Sequence, residues 1–246
     1  MAEYTGAPIY FVHQSTPGAV DLVRAARNRG LSVYSETCPH YLVLDDGVYA
    51  STFPEWFACC PPMRSTETVA AVRERYAHGD IDTVSSDHSC YDLTQKRRHD
   101  TDIRQMPHGL PGVETRMPVA FTALADALGD PCDPGVLRRF AEVFAATPAR
   151  INAIPGKGAL APGYDADLVV FDRAELRRVT ALELHQGTDF SPFEGRMLRG
   201  WPQVVVSGGR IMLRDGQFHD PGPVGRFLPR RGYRETNAST ATSTSA

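Results

Sequence analysis

Between Pro8 and Glu36 the chain reads as an apolar run, a capped amphipathic helix and a second apolar run, an order that leaves few topologies open. Pro8-Ile9-Tyr10-Phe11-Val12-His13 is continuously apolar up to a histidine, the pattern of a strand buried on both faces. Thr16-Pro17 supplies an N-cap and a proline at the first helical position, Val20 and Val23 follow at helical spacing, and Gly30 stops the helix. Leu31 to Glu36 is the next strand. Strand, helix and strand at this length form one βαβ crossover, so the two strands are expected side by side and parallel.

A second step follows in the same sense. Ser65-Thr66 opens a helix carrying Val69, Ala70, Val72 and Tyr76, and His78-Gly79 closes it. Ile81 to Ser86 is the strand after it, ending abruptly in Asp87-His88. Loops at the C-terminal ends of parallel strands build active sites, which makes Asp87 the leading candidate for chemistry and puts His13 at the same end of its own strand. The competing reading is that Asp87 caps the next segment.

Between these steps the chain is broken by proline, at Thr37-Cys38-Pro39-His40 and at Cys59-Cys60-Pro61-Pro62, where neither a helix nor a central strand persists. His40 either lines a pocket or plays a structural part. The stretch from Tyr91 to Gln105, with Lys96-Arg97-Arg98-His99, reads as a solvated loop or a lid. Met106 to Arg116 is rich in glycine and proline, so its backbone can approach a ligand closely. Helices are expected from Pro118 to Leu128, from Pro134 to Ala146 and from Thr147 to Ile154. After Pro155 the texture turns to β, with a strand leading to Asp172 and a hairpin of Gln203 to Ser207 and Arg210 to Leu213 around Gly208-Gly209. His185 and His219 read as solvated or capping groups, Cys59 and Cys90 as small packed ones, and Trp201 as core of the β-rich end.

Composition narrows the function. With 42% hydrophobic and 22% charged residues the chain is a soluble globular type, and a net charge of −3 offers no case for nucleic acid or an anionic membrane surface. There is no apolar run of spanning length and no signal-peptide pattern, so the expected location is the cytoplasm. The five cysteines, Cys38, Cys59, Cys60, Cys90 and Cys132, are odd in number and lack CxxC spacing, which argues against both a disulfide framework and a thiolate zinc site.

Seven segments, in order, resemble the cyclic amidohydrolases, most closely the dihydropyrimidinase and hydantoinase group. They are Val12-His13-Gln14-Ser15, Glu36 to Leu42, Cys60 to Arg64, Ser86-Asp87-His88, Gly109 to Glu114, Lys157-Gly158 with Gly163 to Val169, and Pro192 to Gly195. Allantoinase and dihydroorotase are relatives, and a non-catalytic assembly protein related to dihydropyrimidinase is the alternative from another class. The resemblance implies an α/β fold: a (β/α) barrel of the TIM type over residues 1–155, here its last strands, then a β-rich sandwich segment over 156–222. Residues 223–246 would form an arm and a disordered tail.

It further implies a hydrolase of small cyclic amides or ureides that uses two divalent metals, usually zinc, to activate a hydroxide against the ring carbonyl. His13 and Asp87 would be metal ligands, Asp87 also the base that moves a proton from water to the leaving nitrogen. The loops at Cys60 and at His108-Gly109 would hold the ring through backbone groups. The family commonly has Ser and Asn where Cys60 and His108 stand, and His108 is either a new polar contact or a solvated residue. A homo-oligomer is expected. The family's other ligands, a His-x-His pair, a bridging carboxylated lysine and a further histidine, precede the matching segment. The chain therefore resembles a C-terminal half, expected by itself to bind zinc weakly and to leave cyclic amides intact.

Overall fold

The structure is a computed structural model that describes residues 2–98, 102–223 and 225–230. The tail expected over 232–246 lies outside these residues, as does His99 of the basic run. A short N-terminal helix α1 (Ala2–Thr5) precedes β1 (Ile9–Phe11), α2 (Pro17–Asn28), β2 (Val33–Thr37), α3 (His40–Val43), α4 (Thr66–His78) and β3 (Thr83–Val84). The three strands form a parallel sheet in the order β1-β2-β3, registered Ile9 to Val33 and Glu36 to Thr83. After it come α5 (Leu93–Lys96), α6 (Arg116–Leu128), α7 (Pro134–Ala141) and α8 (Thr147–Ile151), with a π-type turn over Glu142–Ala146 that merges α7 into α8. A second sheet holds β4 (Leu168–Arg178), β5 (Met197–Ser207), β6 (Arg210–Arg214) and β7 (Gln217–Phe218), in that order. The expected hairpin is there, with Ser207 paired to Arg210 across Gly208-Gly209.

Local chemistry accounts for the helix ends. Ser65 accepts the Thr68 N–H, and Gly79 adopts a left-handed φ of 94° that a side chain would resist. Thr16 sits at the expected N-cap in extended conformation, but its hydroxyl makes no capping bond. At the N-terminal ends of the strands Asp82 accepts from the Ser35 N–H at 2.8 Å and pairs with Arg27 at 2.5 Å, while Arg75 grips Asp21 with two bonds, fastening α4 to α2. These charges lie at the opposite end of the strands from Asp87.

The chain divides into two compact units, residues 1–140 with 173–201, and 141–172 with 202–246. The boundary expected near residue 155 falls inside the second. The first unit has an apolar core of Cys38, Tyr41, Leu44, Met63, Leu110, Val119, Phe193, Leu198 and Trp201. Trp201, read from sequence as core of the β-rich end, is part of this core of the first unit, its ring covered by the Arg177 guanidinium at 4.5 Å. In the second unit, Lys157 pairs with Asp165 and Asp167, and Arg226 reaches Asp165 at 2.5 Å.

Three expectations are corrected. The first strand is not covered on both faces: Tyr10, Phe11 and Val12 are 36%, 40% and 44% exposed, because β1 is the edge of its sheet. Cys90 is exposed, not packed. Lys96, read as part of a solvated run, is fully buried. The reason is local: Asp92 and Gln95 form a reciprocal capping box, and the short helix it starts turns Lys96 inward while Arg97 and Arg98 stay outside.

Burial depresses the Lys96 pKa from 10.5 to about 8. Between those values the unfolded chain binds more protons than the folded one, so this group's contribution to stability rises with pH across the window and is least favourable below it. Urea unfolding at pH 8 and pH 10 is expected to show the native protein gaining on its Lys96→Met variant as the pH rises.

Candidate metal centre

The ladder that builds the parallel sheet continues past its named strands and fixes the backbone where chemistry is expected. Gln14 N–H donates to the Glu36 carbonyl at 2.8 Å, the Thr37 hydroxyl to the Gln14 carbonyl at 2.8 Å, and Ser85 N–H to the Thr37 carbonyl at 3.0 Å. These bonds hold the three strand ends level, and just beyond them the chain turns sharply. His13 and Asp87 both have left-handed backbones, with φ of 57° and 46°. Such a conformation costs a side-chain-bearing residue roughly 1 kcal/mol or more, and non-glycine residues held this way cluster at functional sites.

The turns aim both side chains at one point. His13 Nδ1 lies 3.9 Å from an Asp87 carboxylate oxygen and 3.7 Å from Cys38 Sγ. Together His13, Cys38 and Asp87 present one nitrogen, one sulfur and one oxygen within 4.8 Å of one another, a group able to hold a metal ion. Imidazole, thiolate and carboxylate are all zinc ligands, and three protein donors is the number a catalytic zinc uses while leaving a position open. The sequence reading set the cysteines aside because they lack paired spacing; the structure places one of them, Cys38, beside His13 and Asp87. Spacing rules detect pairs of cysteines, whereas Cys38 contributes alone, placed by the end of β2. Burial first, and then the neighbouring Asp87 and Glu36 carboxylates, push the Cys38 thiol far above its usual range, so it would bind a metal only with loss of its proton.

Around this trio lie further polar groups. Glu36 is buried and accepts a 2.5 Å hydrogen bond from the Tyr10 hydroxyl, which also lies 2.5 Å from Thr83 Oγ1, so three strands meet in one polar knot. Burial raises the Glu36 carboxyl, partly opposed by the Tyr10 bond and by His13. His40 is buried against Tyr41, and burial lowers its imidazole to about 3, so it is neutral. His88 does not point its Nδ1 at the trio. That atom accepts from the backbone N–H groups of Gly112 at 3.0 Å and Val113 at 3.3 Å, which makes His88 the organiser of the glycine-rich loop.

The two expected ring-binding loops are also in the first unit. Tyr41 and Tyr49 hold one of them, through the Pro61 carbonyl at 2.6 Å and the Met63 N–H at 2.8 Å. Cys60 and His108 are exposed, and neither bonds through its backbone to another described residue. Gly109 is buried, and its N–H is taken by the Ala58 carbonyl at 2.9 Å, which joins one loop to the other. Its φ of 152° and a would-be Cβ only 2.5 Å from Ser89 Cβ require glycine there. His185, read as a solvated or capping group, is exposed and pairs with Glu114 at 3.0 Å.

Residues 6–212 match the profile of the amidohydrolase family. The chain belongs to the amidohydrolase family. It is 35% identical to a D-phenylhydantoinase of Escherichia coli over 95% of its own length and 50% of that protein's. It is likewise 35% identical to a D-hydantoinase of Streptomyces coelicolor, over 94% of this chain and 49% of the relative. Among solved structures it is similar to a D-hydantoinase (dihydropyrimidinase) from Thermus sp., with a TM-score of 0.81, 31% identity and coverage of 89% and 47%. An L-hydantoinase (dihydropyrimidinase) from Arthrobacter aurescens gives a TM-score of 0.83 at 27% identity, over 93% and 50%. The chain spans about half the length of the relatives it matches. Its architecture is α/β with TIM-barrel-like neighbours, in a family that generally depends on divalent metals. Among the described residues no helix is long and apolar enough to cross a membrane.

Proposed function

We propose that this chain contributes to the hydrolysis of a small cyclic amide or ureide of the hydantoin or dihydropyrimidine type, with the reaction centred on His13, Cys38 and Asp87. The observation that carries this reading is the convergence of three donors at strand ends, two of them, His13 and Asp87, on left-handed turns. A divalent ion held by them, zinc by the softness of the donors, would supply the Lewis acidity that polarises a ring carbonyl and acidifies water. Asp87 is the base: its carboxylate takes a proton from the attacking water and delivers it to the ring nitrogen as the C–N bond breaks. The unbonded backbone groups of Cys60 and His108 are suited to the donor and acceptor faces of a ring amide. Their side chains then matter little for binding the amide and more for the ring's substituent.

Two finer points belong to the same reading. The four-stranded sheet β4 to β7 would be part of a small sandwich beside a barrel, and the protein would work as a homo-oligomer in the cytoplasm. The test is ring opening of hydantoin, dihydrouracil, allantoin and dihydroorotate by the zinc-supplemented protein, alone and combined with a polypeptide spanning the part of the hydantoinase relatives that this chain does not match. Opening of hydantoin or dihydrouracil in preference to the other two supports the reading. Turnover of none of the four in either preparation contradicts it.

A further inference from the structure

Lys96 stands between the two loops that flank the proposed ring site. Its ammonium donates to the Ala58 carbonyl at 2.8 Å and to the Pro107 carbonyl at 3.1 Å, two charge-assisted bonds inside a fully buried position. Ala58 lies two residues before Cys60, and Pro107 directly precedes His108. The Ala58 carbonyl also accepts the Gly109 N–H, so one oxygen receives a proton from the opposite loop and another from the lysine. The short helix that carries Lys96 is itself fixed at both ends, by the capping box of Asp92 and Gln95 and by the Arg97 bond to Glu55 at 3.1 Å. A methionine would fill the same volume without the cost of burying an ammonium. What the charge adds is geometry: one atom with several donors sets the distance between two loops that share no strand pairing.

We infer that Lys96 is a positioning residue, joining the Ala58 and Pro107 carbonyls so that the backbone groups of Cys60 and His108 stand at the spacing a ring amide requires. The ring belongs to the proposed function and the inference rests on that reading for its purpose, but the tie between the loops is measurable without it. Lys96 touches no reacting atom in this account. Its loss acts through the loops, raising KM for the ring, while the three donors at the strand ends keep their places.

The experiment compares the unaltered protein with Lys96→Met by amide hydrogen exchange and, where ring opening is detected, by steady-state kinetics. Exchange at Gly109, whose N–H is held by the Ala58 carbonyl across the two loops, is expected to rise about 10-fold or more as the loop tie is lost, with α4 and α6 unchanged. KM for hydantoin is expected to rise at least as strongly as kcat falls. A rise spread evenly over α4, α6 and the loops would mean a merely structural role and overturns the inference, as does unchanged protection of the loops. Lys96→Gln, which keeps two N–H donors, should lie between the two proteins and serves if the methionine variant does not fold. A glutamine variant protected like the unaltered protein also overturns it. If no ring is opened by the unaltered protein, the functional reading fails while the exchange pattern still decides the role of Lys96.

Discussion

In a preparation that opens the ring, Asp87→Asn is expected to lower kcat by about 10³-fold with little change in KM, within the range that loss of a general base produces. Asparagine is the informative substitution because the backbone at Asp87 is left-handed, with φ of 46°, and asparagine adopts that conformation as readily as aspartate. Fold and side-chain size are therefore kept, and only the carboxylate's capacity to take up a proton is removed. The same change weakens the metal centre, so the assay is run at zinc concentrations that saturate both proteins. Equal turnover by Asp87→Asn and the unaltered protein would remove Asp87 from the chemistry.

Cys38→Ser is expected to reduce affinity for zinc by about 10²-fold or more, since a hydroxyl replaces the only thiolate among three donors. His13→Asn, chosen again because φ at His13 is 57°, is expected to do the same, and the double variant to fall to the background of adventitious binding. The effects of the two changes are not additive, because after either one only two donors remain and the site no longer closes around an ion. Competition against a chromophoric chelator measures all three. Serine and cysteine differ by one atom and Cys38 is wholly buried, so a loss of stability large enough to mimic the result would show separately in urea unfolding.

The helical half of the fold was legible because its signals are local. Pro17, Ser65, Gly30 and Gly79 mark helix ends whatever surrounds them, and the two strand–helix steps follow from their spacing. Burial was less legible. The run from Ile9 to Phe11 is as apolar as a central strand, yet nothing in its own residues says that it is a sheet edge. Asp87 and His13 were found by their position at strand ends. Cys38 occupies the equivalent position after β2, and asking which donor-bearing residues follow each parallel strand would have found it, where a search for paired cysteines could not. Lys96 shows the limit most plainly. Its acceptors come from residues 58 and 107, separated by 38 and 11 positions along the chain, and only the folded loops bring them to one ammonium. The capping box beginning at Asp92 was readable and predicts a helical turn, but not which of three adjacent basic residues faces inward.

Whether His13, Cys38 and Asp87 close on one divalent ion is decided by a cobalt(II) titration followed by absorption spectroscopy. A bound cobalt with a thiolate ligand shows a sulfur-to-metal charge-transfer band that oxygen and nitrogen ligands do not give. The band is expected in the unaltered protein, saturating at one ion per chain and absent from Cys38→Ser, while Cys59→Ser retains it. Cobalt that binds without the band, or a band that survives Cys38→Ser, would contradict a site of these three donors.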